Sequence, residues 1–170
     1  MAALEPSGTI VWVNRAWRRR AEALGLKDAL TEVSYFGGIS SELRGYFEAA
    51  FAEALDRREP FDLEYQCPTP EEQRTFLLRA LPIEGAGLLV EHSLVVRAPA
   101  EPSEDPVPAR YQNSHGLVTQ CSNCRRVRHP ASGAWHWVAD WVRHTQTFIS
   151  HGLCTSCAGF FWGRRIRGAK

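Results

Sequence analysis

The chain has 170 residues and a formal net charge of +1, with 44% hydrophobic and 23% charged side chains. This globular balance excludes disorder of the whole chain, and the length allows one ordinary domain or two small ones. No stretch approaches the ~20 apolar residues of a membrane span, and residues 4–13 lack the pattern of an export signal. We therefore expect a soluble, cytoplasmic protein without a membrane partner.

The charge is divided unequally along the chain. Residues 1–109 carry 11 basic and 18 acidic side chains, a formal charge of −7, whereas residues 110–170 carry 9 basic side chains and one acid, a charge of +8. Such asymmetry indicates two units with different partners. Attraction between an acidic and a basic domain explains this charge asymmetry as well as binding of a polyanion does.

A proline-rich segment separates the two parts. Residues 98–109 read APAEPSEDPVPA, with four prolines and three acids. Proline fixes φ and removes a hydrogen-bond donor, so the segment is predicted to be an extended, semi-rigid connector. The predicted organisation is a first domain over 1–97, a linker over 98–110 and a C-terminal module over 111–170.

The first elements are a hairpin and a helix. Residues 9–14, rich in β-branched and aromatic side chains, predict a strand after the turn at 6–8. Residues 1–5 are its expected partner strand. Asn14 then caps a predicted helix over 15–24, which has one apolar side.

A longer helix and three strands follow. Apolar side chains at helical spacing predict a helix that Ser40 or Ser41 caps and that ends at about Arg57. The segments 61–67, 74–83 and 87–96 predict strands joined by short turns. Alternation of apolar and polar residues in the first of them is typical of an antiparallel sheet with one wet face.

This order of elements resembles a PAS domain. The resemblance is carried by residues 6–17, with Glu5 in place of the usual acid, and by Tyr65 to Phe76 and Gly87 to His92. It implies an α+β fold with a five-stranded antiparallel sheet and helices on one face. It also implies sensing of a small ligand, redox state or light, and dimers formed through the sheet.

The ligand of such a domain is not identified by the sequence. The reactive-cysteine segment of photoactive flavin members is missing, so a light sensor of that type is not expected. His92 is a candidate haem ligand, although it lies in a strand pattern that occurs without haem. The lone Cys67 and the aromatic side chains are most simply packed in the core, and some of the aromatics are candidates for lining a pocket.

Two Cys-x-x-Cys pairs are the strongest signal in the chain. They are Cys121 with Cys124 and Cys154 with Cys157, and 29 residues lie between the pairs. Two intervening residues let a tight turn aim both sulfurs at one point, and two such turns complete a tetrahedral site that suits Zn²⁺. A helix over 134–143 is predicted to fit between them. A structural metal would supply the stability that a thin core lacks.

Other uses of these cysteines stay open. An iron–sulfur cluster needs the same four thiolates, although the spacing is not typical. Thiol redox chemistry is a further alternative, whereas disulfides are disfavoured in the cytoplasm. His151 could replace one sulfur or hydrogen-bond to it, and with four cysteines available the hydrogen-bonding role is favoured.

The wider pattern resembles a C-terminal module of bacterial signalling proteins. That module reads Cys-x-x-Cys-Lys-x-Ile-Arg, Gly-x-Trp and Ser-His-Gly-x-Cys-x-x-Cys, matched here by residues 121–128, 133–135 and 150–157. Arg125 and Val127 replace the Lys and Ile. The resemblance implies a signalling context for a PAS domain with an appended zinc module.

Basic and aromatic residues surround the predicted metal site. The aromatic residues 160–162 could stack on nucleic-acid bases, and several arginines could contact phosphates. The candidate polyanion contacts are Arg125, Arg126, Arg128, Arg164, Arg165 and Arg167. The simpler interpretation is a solvated tail with packed aromatic side chains.

The sequence therefore predicts a non-enzymatic signal-transduction protein with a structural zinc module. It carries no kinase, cyclase or receiver motif, and no nucleophile arrangement stands out. The expected partners are a signalling protein and a second copy of the chain. A nucleic-acid-binding transcriptional regulator and a thiol or zinc redox sensor are the alternative functions.

Overall fold

A computed structural model describes residues 1–23, 30–143 and 147–168, in 143 and 164–168 the backbone alone. The chain forms two compact units. Unit 1 comprises Met1–Glu64 and Phe76–Ser93, and unit 2 comprises Tyr65–Thr75 and Leu94–Lys170.

The larger sheet has five strands in the order β2-β1-β5-β4-β3. Its antiparallel register pairs Ala2 with both Val13 and Val90. This confirms the predicted α+β fold with a five-stranded antiparallel sheet. The strands are β1 (Ala2–Leu4), β2 (Ile10–Val13), β3 (Phe61–Gln66), β4 (Glu72–Ile83) and β5 (Gly87–Pro99).

Among the described residues, two α-helices and a short 3-10 helix (Tyr35–Gly38) lie between β2 and β3. The helix α1 (Arg15–Ala23) begins as predicted, because Asn14 Oδ1 accepts the Trp17 amide at 2.9 Å. Residue 24, the predicted end of this helix, lies outside the described residues. The helix α2 (Ser41–Arg57) begins without a side-chain cap at Ser40, contrary to the expected serine cap.

The core of unit 1 is aliphatic and aromatic. The α2 side chain Phe51 lies 6.0 Å from Phe61 of β3, measured between ring centroids. Each fully buried side chain of this size stabilises the fold by about 1.5–3 kcal/mol. The largest buried members include Leu4, Val13, Leu43, Tyr46, Phe47, Phe51, Leu63, Leu78, Leu88 and Val90.

Unit 2 has a second sheet in the order β8-β7-β6-β9. The strands β6 and β9 run parallel, with Val118 opposite Ile149 and Cys121 opposite Gly152. Three helices complete the described part of this unit. Its elements are α3 (Pro108–Tyr111), β6 (Val118–Cys121), β7 (Val127–Arg128), β8 (Trp135–His136), α4 (Asp140–Arg143), β9 (Ile149–Gly152) and α5 (Thr155–Gly168).

The helix predicted over 134–143 is wrong in its first half. Trp135 pairs with Arg128 as part of β8, and the His129 amide donates to the Ala134 carbonyl at 2.8 Å. Gly133, with φ of 72°, makes the connecting turn. Strand pairing has overridden the helical spacing of the apolar residues, and α4 covers only the end of the segment.

The proline-rich segment is exposed but hydrogen-bonded to other parts of unit 2. The Glu104 amide donates to the Trp137 carbonyl at 2.8 Å, and Ser103 Oγ accepts the Ala139 amide at 2.9 Å. The segment is therefore held by hydrogen bonds. The division between the compact units falls inside β3, β4 and β5, and the predicted domain boundaries at 97 and 110 stay a prediction.

Within the described ranges, none of the helices combines the length and the apolar character that crossing a membrane requires.

Candidate metal centre

The four predicted cysteines meet at one point of unit 2. The Sγ atoms of Cys121, Cys124, Cys154 and Cys157 all lie within 4.8 Å of one another. The four residues are between 0% and 7% exposed, and Trp135 and Leu153 pack against them. The cluster is therefore enclosed and composed of sulfur, a set of donors that can bind a metal ion.

The first pair lies on the turn between β6 and β7. The Cys121 amide donates to the Arg126 carbonyl at 2.8 Å, and the Arg125 amide donates to the Cys121 carbonyl at 3.0 Å. Arg125 takes a left-handed conformation with φ of 62°. This tight reversal directs both sulfurs to the same side of the hairpin.

The second pair lies at the start of α5. Cys154 precedes the first residue of the helix, and its carbonyl accepts the Ala158 amide at 2.8 Å. Its sulfur accepts the Cys157 amide at 3.4 Å, in the position of an N-terminal cap.

Parallel pairing of β6 with β9 brings the two pairs together. Cys121 lies opposite Gly152, and the Ser122 amide donates to the Gly152 carbonyl at 2.8 Å. The Cys154 amide then donates to the Cys121 sulfur at 3.4 Å. This pairing could not be predicted from the sequence, because strands of four residues are too short to show a clear alternation of apolar and polar side chains.

The spacing of the sulfurs fits a tetrahedral metal site. A zinc–sulfur distance of about 2.3 Å requires sulfur atoms about 3.8 Å apart at the corners of a tetrahedron. Cys124 Sγ and Cys154 Sγ are 3.7 Å apart. Four thiolates around one ion would fill its tetrahedral shell and leave no coordination position for a substrate.

Hydrogen bonds among the thiols shift their pKa values in opposite directions. Bonds from Cys124 and Cys157 lower the pKa of Cys121 far below its usual range. Donating to Cys121 raises the pKa of Cys124 to about 11 and also raises the pKa of Cys157. A metal that binds all four thiolates must displace these protons, so its affinity falls as the pH falls.

Two polar side chains support the sulfurs. Asn123, between the first two cysteines, donates from Nδ2 to Cys157 Sγ at 3.3 Å. Arg126 forms an ion pair with Glu101 and a hydrogen bond with Cys124. Burial lowers the pKa of Arg126, but these two contacts outweigh it and raise the pKa. Both groups can offset negative charge on thiolates. The sequence analysis assigned no role to Asn123.

The structure does not bring every predicted residue to this cluster. His151 is exposed on β9 and lies outside the four-sulfur group, and Arg128 is exposed on β7. Arg125 is half-buried in the turn. Phe161 is fully buried in α5, which favours packing over base stacking for this ring. The side chains of Arg164, Arg165 and Arg167 lie outside the described residues.

His92 lies among aromatic side chains of unit 1. His92 Nε2 lies 3.1 Å from the Tyr35 hydroxyl, and the Trp17 and His92 rings are 5.7 Å apart. Burial lowers the pKa of His92 to about 4, so the imidazole is neutral at neutral pH. Unit 1 also contains an open cleft of about 280 Å³ with Phe36, Phe51 and Leu88 among its lining residues.

The comparison with known families agrees with this architecture. Residues 1–100 match a family described as PAS fold. No curated protein and no solved structure matches the chain. The matched residues make up more than half of the 170-residue chain and include the whole five-stranded sheet. The chain therefore belongs to the PAS-fold family.

Proposed function

We propose that this protein is a non-enzymatic, cytoplasmic component of bacterial signal transduction. Its PAS domain senses a small ligand or binds a protein, and its C-terminal cysteines hold a structural Zn²⁺. The observation that carries the proposal is the enclosed group of four sulfurs in a chain that belongs to the PAS-fold family. PAS domains are sensing or interaction domains, and an all-cysteine site is typical of structural zinc.

Zinc is favoured by the donors and by their surroundings. Thiolate ligands in a tetrahedral set select Zn²⁺ or an iron–sulfur cluster. The 3.7 Å separation of two sulfurs suits a single ion at the centre. The amide of Cys154, the side chain of Asn123 and the guanidinium of Arg126 each contact a sulfur, which offsets the net charge of about −2 on a Zn²⁺ with four thiolates.

A structural role follows from the closed set of ligands. Catalytic zinc sites keep a position for water or substrate, whereas four protein sulfurs occupy every position. The metal then serves to hold the β6–β7 turn against the start of α5. In this proposal the module presents a stable surface to a partner and performs no chemistry.

The sheet offers a surface for pairing with a second copy. Val11 and Trp12 on the edge strand β2 are 47% and 46% exposed, which is unusual for adjacent large apolar side chains. Burying them would favour association of two PAS domains. The proposed partners are therefore a second copy of the chain and a signalling protein.

A binding experiment separates this proposal from its alternatives. The full chain, with zinc bound, is immobilised and exposed to a native extract, and sedimentation measures the mass of the purified protein. We expect capture of a signalling protein and a dimer that Trp12→Glu weakens at least tenfold, whereas Arg128→Glu leaves both unchanged. The absence of both capture and dimer would contradict the proposal.

Two further readouts address the other functions. Binding of duplex DNA that weakens steeply with salt and is lost in an Arg164→Glu, Arg165→Glu, Arg167→Glu variant would favour the nucleic-acid regulator. Release of zinc by mild peroxide would favour the redox sensor. We expect neither result, because the four thiols are buried and Arg126 is already paired with Glu101.

A further inference from the structure

One buried amide side chain joins the cysteine cluster to the larger sheet. Asn123 is 7% exposed, and both ends of its carboxamide are used. Its Nδ2 donates to Cys157 Sγ at 3.3 Å, and its Oδ1 accepts the backbone amide of Gln66 at 3.0 Å. Gln66 is the last residue of β3, and it belongs to unit 2 together with the cluster.

The strands of the larger sheet provide no hydrogen-bond acceptor for the Gln66 amide. The next amide, that of Cys67, donates to the Arg74 carbonyl beside it at 3.0 Å. Because successive residues of a strand direct their amides to opposite sides, the Gln66 amide is directed away from β4. β3 is an edge strand, so no strand of this sheet lies on that side. The Asn123 side chain supplies the hydrogen-bond acceptor that a neighbouring strand would provide.

We propose that Asn123 is a positioning residue through which metal binding controls the order of the β3 edge. The inference rests on the proposed metal site. A bound ion would fix the Cys157 sulfur at one corner of a tetrahedron. The short, planar carboxamide would then be held between that sulfur and the Gln66 amide. Without the ion the turn that carries Asn123 is no longer held in place, and the hydrogen bond to Gln66 is lost.

Through this hydrogen bond, metal binding in the C-terminal part of the sequence is coupled to the PAS-fold region. Gln66 lies inside the region that matches the PAS fold, whereas the cysteines lie beyond it. Loss of the metal therefore changes the hydrogen bonding of an edge amide in the PAS-fold region. The reciprocal effect follows from linkage: ordering the β3 edge raises the affinity for the metal.

Amide hydrogen exchange of the full chain, resolved by residue with NMR, tests this link. The protein is measured with Zn²⁺ bound and after removal of Zn²⁺ by a chelator. Loss of one hydrogen bond changes a local equilibrium by up to about tenfold. We expect chelation to accelerate exchange of the Gln66 amide about tenfold. The Cys67 amide, which is bonded within the sheet, should change less than about threefold.

Variants of Asn123 distinguish the proposed coupling between the metal and Gln66 from a general loss of structure. Asn123→Ala should give fast exchange at Gln66 with and without Zn²⁺, although one metal per chain is still bound. Asn123→Asp keeps an acceptor for Gln66 but loses the donor to sulfur, so it should weaken metal binding and leave part of the protection. Asn113→Ala is the matched control, because it removes an amide from the turn before β6 that accepts from His115 and Leu117.

The outcomes distinguish this inference from the proposed function. Bound Zn²⁺ with a Gln66 amide that is indifferent to chelation would overturn the link and leave the metal site standing. Equal acceleration at Gln66 and Cys67 would also overturn it, because general unfolding would then explain the change. Failure of the wild-type protein to bind metal would overturn both. The wild-type comparison requires no variant and therefore decides the question even if Asn123→Ala fails to fold.

Discussion

The two units fill their interiors in different ways. Unit 1 buries long aliphatic and aromatic side chains from α2 and the five-stranded sheet. Unit 2 has a smaller apolar cluster, which consists of Tyr111, Val118, Val127, Val138 and Trp141, and beside it four buried cysteines. The difference supports the proposal that apolar burial suffices for unit 1, whereas a bound ion stabilises the strands and turns of unit 2.

The largest expected effect is removal of one sulfur. Cys121→Ala should abolish stoichiometric metal binding and unfold the β6–β7 and α5 region, since structural zinc contributes about 10 kcal/mol or more to small modules. Circular dichroism and metal analysis measure the two changes. The β1–β5 amides of unit 1 should keep most of their protection from exchange.

Cys67 provides the matched control for that variant. It is half-buried and outside the four-sulfur group. Cys67→Ala should retain one metal per chain and the folded signals of unit 2. Loss of metal in Cys67→Ala, or full retention in Cys121→Ala, would contradict the assignment of the ligands.

A glycine at the start of β5 should produce the next largest effect, confined to unit 1. Gly87 has φ of 124°, and a Cβ there would lie 2.1 Å from the Leu4 carbonyl oxygen. Gly87→Ala should lower the free energy of unfolding by about 3 kcal/mol, because the backbone of β1 must move. Urea unfolding followed by tryptophan fluorescence measures the loss.

The Gly85→Ala variant distinguishes the effect of a steric clash from the effect of a positive φ. Gly85 also has a positive φ, of 73°, but no atom lies within 4 Å of a Cβ built on it. Gly85→Ala should therefore cost only about 1 kcal/mol. Equal losses in the two alanine variants would show that β1 does not approach Gly87 as described.

A smaller effect is expected in the turn that holds the first two cysteines. Arg125 has φ of 62°, a conformation in which β-branched residues are strained. Arg125→Val should lower the stability of unit 2 by about 1–2 kcal/mol and weaken metal retention, whereas Arg125→Gly should not. Competition with a chromogenic chelator measures retention. Equal metal affinity in both variants would argue against the left-handed turn.

The smallest effect is expected at an exposed ion pair of unit 1. Nε and Nη2 of Arg79 donate to the Asp62 carboxylate at 2.8 and 2.7 Å, and this hydrogen bonding lowers the pKa of Asp62. A lowered folded-state pKa adds stability above the unfolded value of about 3.9 that is lost as the pH falls through the folded value. Asp62→Asn should therefore be slightly less stable than the wild type at pH 7 and equal to it near pH 2.

The Glu64 side chain is the matched control for the ion pair. It lies exposed on the same strand as Asp62. Glu64→Gln should unfold at the same urea concentration as the wild type at pH 7. Because exposed pairs contribute little, a large loss in Asp62→Asn would mean that the carboxylate has a structural role beyond this pair.

The fold of unit 1 was largely predictable from the sequence. Alternation of residues in 61–67 and the helical spacing in 41–57 identified elements that the structure confirms within a few residues. These patterns are long and are repeated over several turns or pleats. The four cysteines were equally predictable, since two Cys-x-x-Cys pairs constrain which residues must meet.

Unit 2 was predictable only at its cysteines. The strands β7 and β8 have two residues each, so no period is present, and the helical spacing around Trp135 was misleading. The roles of Asn123 and Arg126 depend on Gln66 and Glu101, which lie far away in sequence. No local pattern specifies such partners, and the same holds for the parallel pairing of β6 with β9.

The most direct test of the account is elemental analysis of protein purified without added metal, with an absorption spectrum of the same sample. We expect about one zinc per chain and no visible absorption. We also expect that a chelator which removes the zinc unfolds the cysteine-bearing part of unit 2 and leaves the five-stranded sheet in place. Iron with visible absorption, or a folded unit 2 that contains no metal, would contradict it.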